Sequence, residues 1–326
     1  MKRKKRIINI TPDWLAGFTQ SDGSFVVSLE NQKKCIPIRP TPIFNITQSI
    51  NEYDLFLEIQ KYLGVGKIYK NRNNVIYVVK SINDLVNVII PLFDKHPVRG
   101  GKFLSYNIFK KVVLMVKTKK HLTLEGTIQI INLSYFMNNE TTLRTEKTRS
   151  NCIDKLKSKY GILPNITNIE LPIIDKTIFP LNLEFIRGLV DGDGSFNISF
   201  RTTRRRIGVN FTVVCELSSI SVLNQLVDFF NCGAVYNLPS NAARFQVQTV
   251  NDMLNNILPK LNGIKFNTYK HYHFETTIKI CEIIKNTGYK TNQDLKNIVN
   301  LAWDMNKSGN SRKINKEEYL TLFKID

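Results

Sequence analysis

The chain has 326 residues, of which 42% are hydrophobic and 22% charged, and its 46 Lys and Arg outnumber 27 Asp and Glu to give a formal net charge of +19. That length and apolar content suit two ordinary globular domains, and so large a basic excess points to a polyanionic partner. Apolar runs such as 112–116 are too short to cross a bilayer, no signal-peptide core is expected after Met1, and five cysteines without a C-x-x-C pair argue against zinc fingers and a disulfide framework and for reduced thiols.

In chain order, Lys2-Arg3-Lys4-Lys5-Arg6 reads as a phosphate-binding arm, with a nuclear signal or a transit-peptide fragment as alternatives. The segment Trp14-Leu15-Ala16-Gly17-Phe18-Thr19-Gln20-Ser21-Asp22-Gly23-Ser24-Phe25 reads as a helix ending at Asp22, with Gly23 as a positive-φ cap. A strand follows, with Phe25, Val27 and Leu29 on one face. A Pro-rich connection through Pro37, Pro40 and Pro42 leads to a return strand containing Phe44, Ile46 and Gln48. Leu55, Ile59, Tyr62 and Leu63 mark a helix, and residues 67–80 a hairpin about Asn71-Arg72-Asn73-Asn74. Helices are predicted from about residue 83 and over roughly 104–117. Gly100-Gly101-Lys102 lacks the surroundings of a P-loop, so a nucleotide-driven motor is not supported.

A connector around 138–180 contains Asn138-Asn139, Pro164 and Pro172, with a short helix near 150–160. Beyond it the plan repeats. Phe185-Ile186-Arg187-Gly188-Leu189-Val190-Asp191-Gly192-Asp193-Gly194-Ser195-Phe196 lies 171 residues after the first such segment. Alternation at Phe196, Ile198 and Phe200 predicts a strand, Thr202-Thr203-Arg204-Arg205-Arg206 a basic turn, and Val209 to Cys215 the return strand. A helix at Leu223, Leu226, Val227 and Phe230, a hairpin about Pro239-Ser240-Asn241, a helix from about 251 and a long helix over roughly 267–285 complete it. His271 and His273 read as helix-surface residues. Each half is therefore α-β-β-α-β-β-α, which gives an α+β chain with an N-terminal half 1–137, a connector 138–179 and a C-terminal half 180–326.

Small residues four apart, Gly17 with Ser21 and Gly188 with Gly192, would let the two repeated helices pair closely and bring Asp22 and Asp193 together. Two carboxylates at negative helix C-termini would attract a divalent cation. An EF-hand is discarded, because the stretch from Asp191 has Phe196 and Thr202 where Gly and Glu are needed.

The strands offer a basic, polar face. Arg244, Gln246 and Gln248 alternate with Phe245 and Val247, and Arg and Gln suit bidentate contacts to guanine and adenine. Asn197, Arg201, Arg204, Arg205 and Arg206 extend that surface, and Arg39, Lys67, Lys70, Arg72 and Lys80 are the candidates in the first half.

The repeated segment resembles the LAGLIDADG motif, and nearly the whole chain is similar to single-chain LAGLIDADG homing endonucleases. The first copy matches through Leu15-Ala16-Gly17-Phe18 and Asp22-Gly23-Ser24-Phe25, the second from Gly188 to Phe196. It departs at Thr19-Gln20-Ser21 and Ile186-Arg187, with Gln20 in place of the usual first acid, but both copies keep the acid before the final Gly. The resemblance implies two saddle-like antiparallel sheets joined at paired motif helices. It further implies a monomer that cuts both strands of a long double-stranded DNA site. Asp22 and Asp193 would hold Mg²⁺, with Mn²⁺ or Ca²⁺ able to substitute for binding, so that metal serves the attacking and leaving oxygens. Lys102 and Lys265, each preceding a Phe, match a family lysine near the scissile phosphate, where it orients water or offsets charge. Gln48 matches a family polar residue, with Cys215 or Glu216 as its second-half counterpart.

The implied biology is intron mobility, since no splice-junction residues frame the chain as in an intein. An intron RNA maturase acting on its host intron RNA, or a cleavage-dead DNA-binding protein, are the alternatives; retention of both acids favours the enzyme. Richness in Asn, Ile and Lys fits AT-rich codons and hence a mitochondrion or other organelle.

Overall fold

The computed structural model describes residues 6–138, 145–164, 166, 171, 179–201, 206–239, 241–303, 305 and 316–322. The basic run 2–5, Asn139, Pro172, the turn residues 202–205 and Ser240 lie outside them, as does the side chain of Arg201. Two compact units emerge, Ile10–Phe185 and a second made of Ile186–Asp326 with Met1–Asn9.

In the first unit, helix α1 (Pro12–Asp22) starts at Thr11, whose hydroxyl accepts from the Trp14 amide at 3.2 Å, and Pro12 occupies the first turn, where no amide hydrogen is needed. The chain runs straight from α1 into β1 (Gly23–Asn31). Gly23 has φ −88° and ψ 155°, so the expected positive-φ cap is not formed. Glycine is required there for space: a Cβ would lie 2.5 Å from Thr19 Cγ2 and 2.8 Å from the Thr19 carbonyl oxygen.

β2 (Ile38–Ser49) includes Pro40 and Pro42, which face Leu29 and Val27, so the expected Pro-rich connection is strand. Only residues 44–49 of β2 pair with a second neighbour; the prolines fall where one side of the strand is unpaired and no amide donor is missed. With β3 (Lys67–Asn71) and β4 (Asn74–Val79) these form an antiparallel sheet in the order β1-β2-β4-β3. Helix α2 (Tyr53–Leu63) packs on β3 and β4 and ends at Gly64, φ 69°.

Helix α3 comprises Ile82–Asp84, a π-helical stretch Leu85–Ile89, and Ile90–Lys95. Pro91 explains the bulge, since it cannot donate to the carbonyl of Asn87 and the preceding turn widens. The long helix α4 spans Gly100–Lys117. Two further helices, α5 (Leu124–Ser134) and α6 (Glu146–Tyr160), pack against the start of β2; Leu156 of α6 shares a core with Ile36, Ile38, Ile128 and Ile131. The helix expected near 150–160 is thus longer and belongs to the first unit, while α5 is unforeseen and follows the polar run Lys117-Thr118-Lys119-Lys120-His121.

Phe25 is the hub of the main core. Its ring lies 5.2–5.4 Å from those of Phe44, Phe93, Tyr106 and Phe109. Phe25→Ala should destabilise the protein by about 3–5 kcal/mol, because rigid rings from β2, α3 and α4 cannot collapse into the cavity; denaturant titration measures this.

The plan repeats with α7 (Leu183–Asp193), whose residues up to Phe185 fall in the first unit, and then in the second unit β5 (Gly194–Arg201), β6 (Arg206–Glu216), α8 (Ile220–Phe230), β7 (Ala234–Leu238) and β8 (Ala242–Val247), with sheet order β5-β6-β8-β7. Helix α9 is again split, as Val250–Asp252, a π stretch Met253–Ile257 and Leu258–Leu261, with Pro259 matching Pro91. The long helix α10 spans Lys270–Thr287. Beyond the expected plan, α11 (Asn292–Trp303) packs on α10 and buries Leu295, Ile298 and Val299, and α12 (Lys316–Leu322) follows.

Each unit borrows a short stretch from elsewhere in sequence, which the expected boundaries at 137 and 179 do not capture. In the second unit, the Asn9 amide donates to Asn267 Oδ1 at 2.9 Å, Asn267 Nδ2 returns a bond to the Asn9 carbonyl at 2.8 Å, and Arg6 lies over the Tyr269 ring at 4.1 Å. In the first unit, Arg99 Nη2 donates to the Pro180 carbonyl at 3.4 Å and its guanidinium covers Phe179 and Phe185. Burial pushes the pKa of Arg99 down to about 10.

Candidate active site and nucleic-acid face

Asp22 is the last residue of α1, where the aligned backbone dipoles make the helix end negative. Gln48 on β2 donates from Nε2 to Asp22 Oδ2 at 2.8 Å, and its Oε1 accepts from the Ser49 amide at 2.8 Å, which fixes the orientation of the amide. Lys102, in the first turn of α4, donates from Nζ to the carbonyls of Thr19, Ser21 and Gly23 at 3.1, 3.3 and 2.7 Å. The ammonium group thus bridges carbonyls at and just past the end of α1, beside the acid at the same end.

The second unit reproduces this arrangement with one correction. Lys270, and not Lys265, reaches the end of α7, donating from Nζ to the carbonyls of Val190, at 3.1 Å, and Gly192. Val190 and Gly192 are the repeats of Thr19 and Ser21. Lys265 is exposed in the loop before α10, and its own carbonyl accepts from Arg187 Nη1 at 3.1 Å. The signal lies in the spacing: Lys102 follows Pro91 and Lys270 follows Pro259 by the same 11 residues, whereas the Phe after each loop misleads.

Strand register also settles the partner of Gln48. Gly23 faces Ile46 and Gly194 faces Val213, so Gln48 corresponds to Cys215 and not Glu216.

Gln20 and Asp191 occupy one structural position. Gln20 Oε1 accepts from the Arg99 amide at 2.7 Å; Asp191 accepts from the amides of Asn267 and Thr268 at 2.9 and 2.8 Å and from the Thr268 hydroxyl at 2.6 Å. Both side chains are buried acceptors that tie the motif helix to the start of the long helix. A neutral carbonyl suffices for that, so Gln20 replaces an acid without loss of the tie. Arg187, 4% exposed, adds Asn267 Oδ1 and the Asn9 carbonyl to the same junction.

On the sheet faces away from the helices, Arg39, Lys67, Asn197 and Arg206 are exposed, and Arg244, Gln246 and Gln248 line up as expected while Ala243, Phe245 and Val247 face the core. Ser199, Arg206, Gly208, Asn210 and Gln248 line one depression of this face. Arg72 sits at the tip of the β3–β4 hairpin with φ 51°, and Lys80 is exposed just past β4. Lys70 departs from the expectation: it lies on the other side of β3, its Nζ 4.0 Å above the Tyr53 ring of α2. Arg204 and Arg205 lie outside the described residues.

Among the described residues no three His, Cys, Asp or Glu side chains cluster as a self-contained metal site, and no helix is long and apolar enough to cross a membrane. Each motif end does offer hard oxygen donors, a carboxylate and helix-end carbonyls, the chemistry that Mg²⁺ and Ca²⁺ prefer.

The family model described as LAGLIDADG endonuclease matches residues 15–113 and 186–281. The chain belongs to the LAGLIDADG endonuclease family. Its two matched segments each hold one motif helix, one sheet and most of one long helix. The Mycosarcoma maydis protein named Probable intron-encoded DNA endonuclease 1 is 44% identical over 82% of this chain and 98% of its own length. Among solved structures, the LAGLIDADG homing endonuclease I-GzeII in complex with DNA target is 26% identical, with a TM-score of 0.77 over 91% of this chain and 99% of the other. The fold is also that of I-SmaMI bound to uncleaved DNA target in the presence of calcium ions, at 23% identity and a TM-score of 0.77 over 91% and 99% of the two chains.

Proposed function

We propose that this LAGLIDADG endonuclease acts as a monomer that cuts both strands of a long DNA duplex, with Asp22 and Asp193 holding Mg²⁺. The observation that carries the reading is the repeated Asp–Lys arrangement, Asp22 with Lys102 and Asp193 with Lys270, each acid ending a motif helix whose carbonyls the lysine collects. A divalent ion bound there would supply charge neutralisation and an activated water for in-line displacement. Gln48 holds the Asp22 carboxylate in one orientation. Lys102 and Lys270 present ammonium groups beside the acids, suited to orienting water or to charge developing on a phosphate oxygen. One acid and one lysine per half match one cut per strand. Arg206, Arg244, Gln246 and Gln248 in one sheet, and Arg39 and Lys67 in the other, supply phosphate and base-edge contacts. The intron-encoded relative and the Asn-, Ile- and Lys-rich composition support an origin within an intron of an organelle genome.

Cleavage of a randomised duplex library in Mg²⁺ tests this reading. Selection of one long site with both strands cut is the expected result; no enriched cleavage product in Mg²⁺ or Mn²⁺ overturns it.

Binding should also depend steeply on salt. Neutralising six to ten phosphates would cost roughly 10³- to 10⁵-fold in affinity between 50 and 200 mM salt. A titration of log Kd against log salt with a slope near zero would exclude a nucleic-acid partner.

A further inference from the structure

The ladder registers superpose the two sheets residue by residue, β3 on β7 and β4 on β8, and most matched outward positions differ. Ile76 stands where the second sheet has Arg244, and Val78 where it has Gln246. Such divergence is what two faces reading different sequences require. Tyr69 and Tyr236 break the pattern. They are the same residue at the same register, each in the middle of an edge strand, Tyr69 opposite Ile76 and Tyr236 opposite Arg244. Both are 49% exposed, on the face that carries the candidate base-reading side chains.

We propose that Tyr69 and Tyr236 are a matched pair of base-contacting residues, each laying its ring against the 5-methyl group of a thymine at the same step of its own half-site. This rests on the reading above that these faces bind duplex DNA. An apolar ring kept half in water gains by losing that exposure on binding. In the major groove the only methyl group offered is that of thymine. Phosphate contact needs no phenol in a chain with 46 Lys and Arg. The two half-sites should therefore share a thymine at this step while diverging at the steps reached by Ile76 and Arg244.

The test uses the full chain and a site selected from the library, with binding measured in EDTA so that the duplex stays intact. Each thymine is replaced singly by deoxyuridine, which removes only the methyl group. For the wild type, one substitution in each half-site should weaken binding by about fourfold, the value of one buried methyl group. Tyr69→Ala should lose sensitivity at one of these positions and Tyr236→Ala at the other. Tyr69→Phe and Tyr236→Phe should keep both. Alanine variants that weaken every duplex uniformly, phenylalanine variants that behave like alanine, or deoxyuridine effects unchanged by any variant would overturn the proposal while the endonuclease reading stands. Failure to select any duplex would overturn both.

Discussion

Asp22→Asn and Asp193→Asn should each abolish double-strand cleavage while specific DNA binding persists. Each substitution keeps the size of the side chain and removes the charge that a divalent ion needs. A metal ion contributes several kcal/mol of transition-state stabilisation, so the loss should be on the order of 10³-fold or more. The two variants should also differ from each other. Asp22→Asn keeps an oxygen able to accept from Gln48 Nε2, whereas the position equivalent to Gln48 in the second unit is Cys215. Nicking assays with each strand labelled separately would follow the two cuts. Full double-strand cutting by both variants would remove the acids from the reaction.

Lys102→Ala and Lys270→Ala should reduce cleavage by about 10²- to 10³-fold, the effect of removing one preorganised donor at a centre of developing charge. Lys265→Ala should leave cleavage unchanged, because that side chain is exposed in the loop before α10 while Lys270 is the lysine whose Nζ bonds to Val190. Single-turnover rates at saturating enzyme separate this loss from weakened binding. Equal losses in the Lys265 and Lys270 variants would show that the contacts of Lys270 with Val190 and Gly192 do not mark its role.

Much of this fold is legible in the sequence because local patterns agree with it. Alternation at Phe196, Ile198 and Phe200 reports a half-buried strand, and the repeated Asp-Gly-Ser-Phe marks the passage from helix to strand in both halves. Legibility ends where position depends on packing. Pro40 and Pro42 look like a linker, yet a strand accepts them where one side has no neighbour. Gly23 looks like a positive-φ cap, yet it is needed because a Cβ would strike Thr19. At the candidate site the two helix-end acids and the position of Lys102 are readable, while the matching position of Lys270 is obscured because a following Phe is a weaker guide than distance from Pro259. Lys70 reads as part of the wrong face because a five-residue exposed strand shows no clear alternation.

The stretches that each unit borrows have a bearing on engineering. Asn9, which precedes the first motif helix, is bound into the second unit through Asn267 and Arg187, and Phe179 and Pro180, which precede the second motif helix, are bound into the first through Arg99. A chimera that joins the front of this protein to the back of a relative at the connector would therefore put foreign residues into both junctions. Residues 6–9 should travel with 186–303, and 179–185 with 10–138, if recombined nucleases are to keep the stability of their parents.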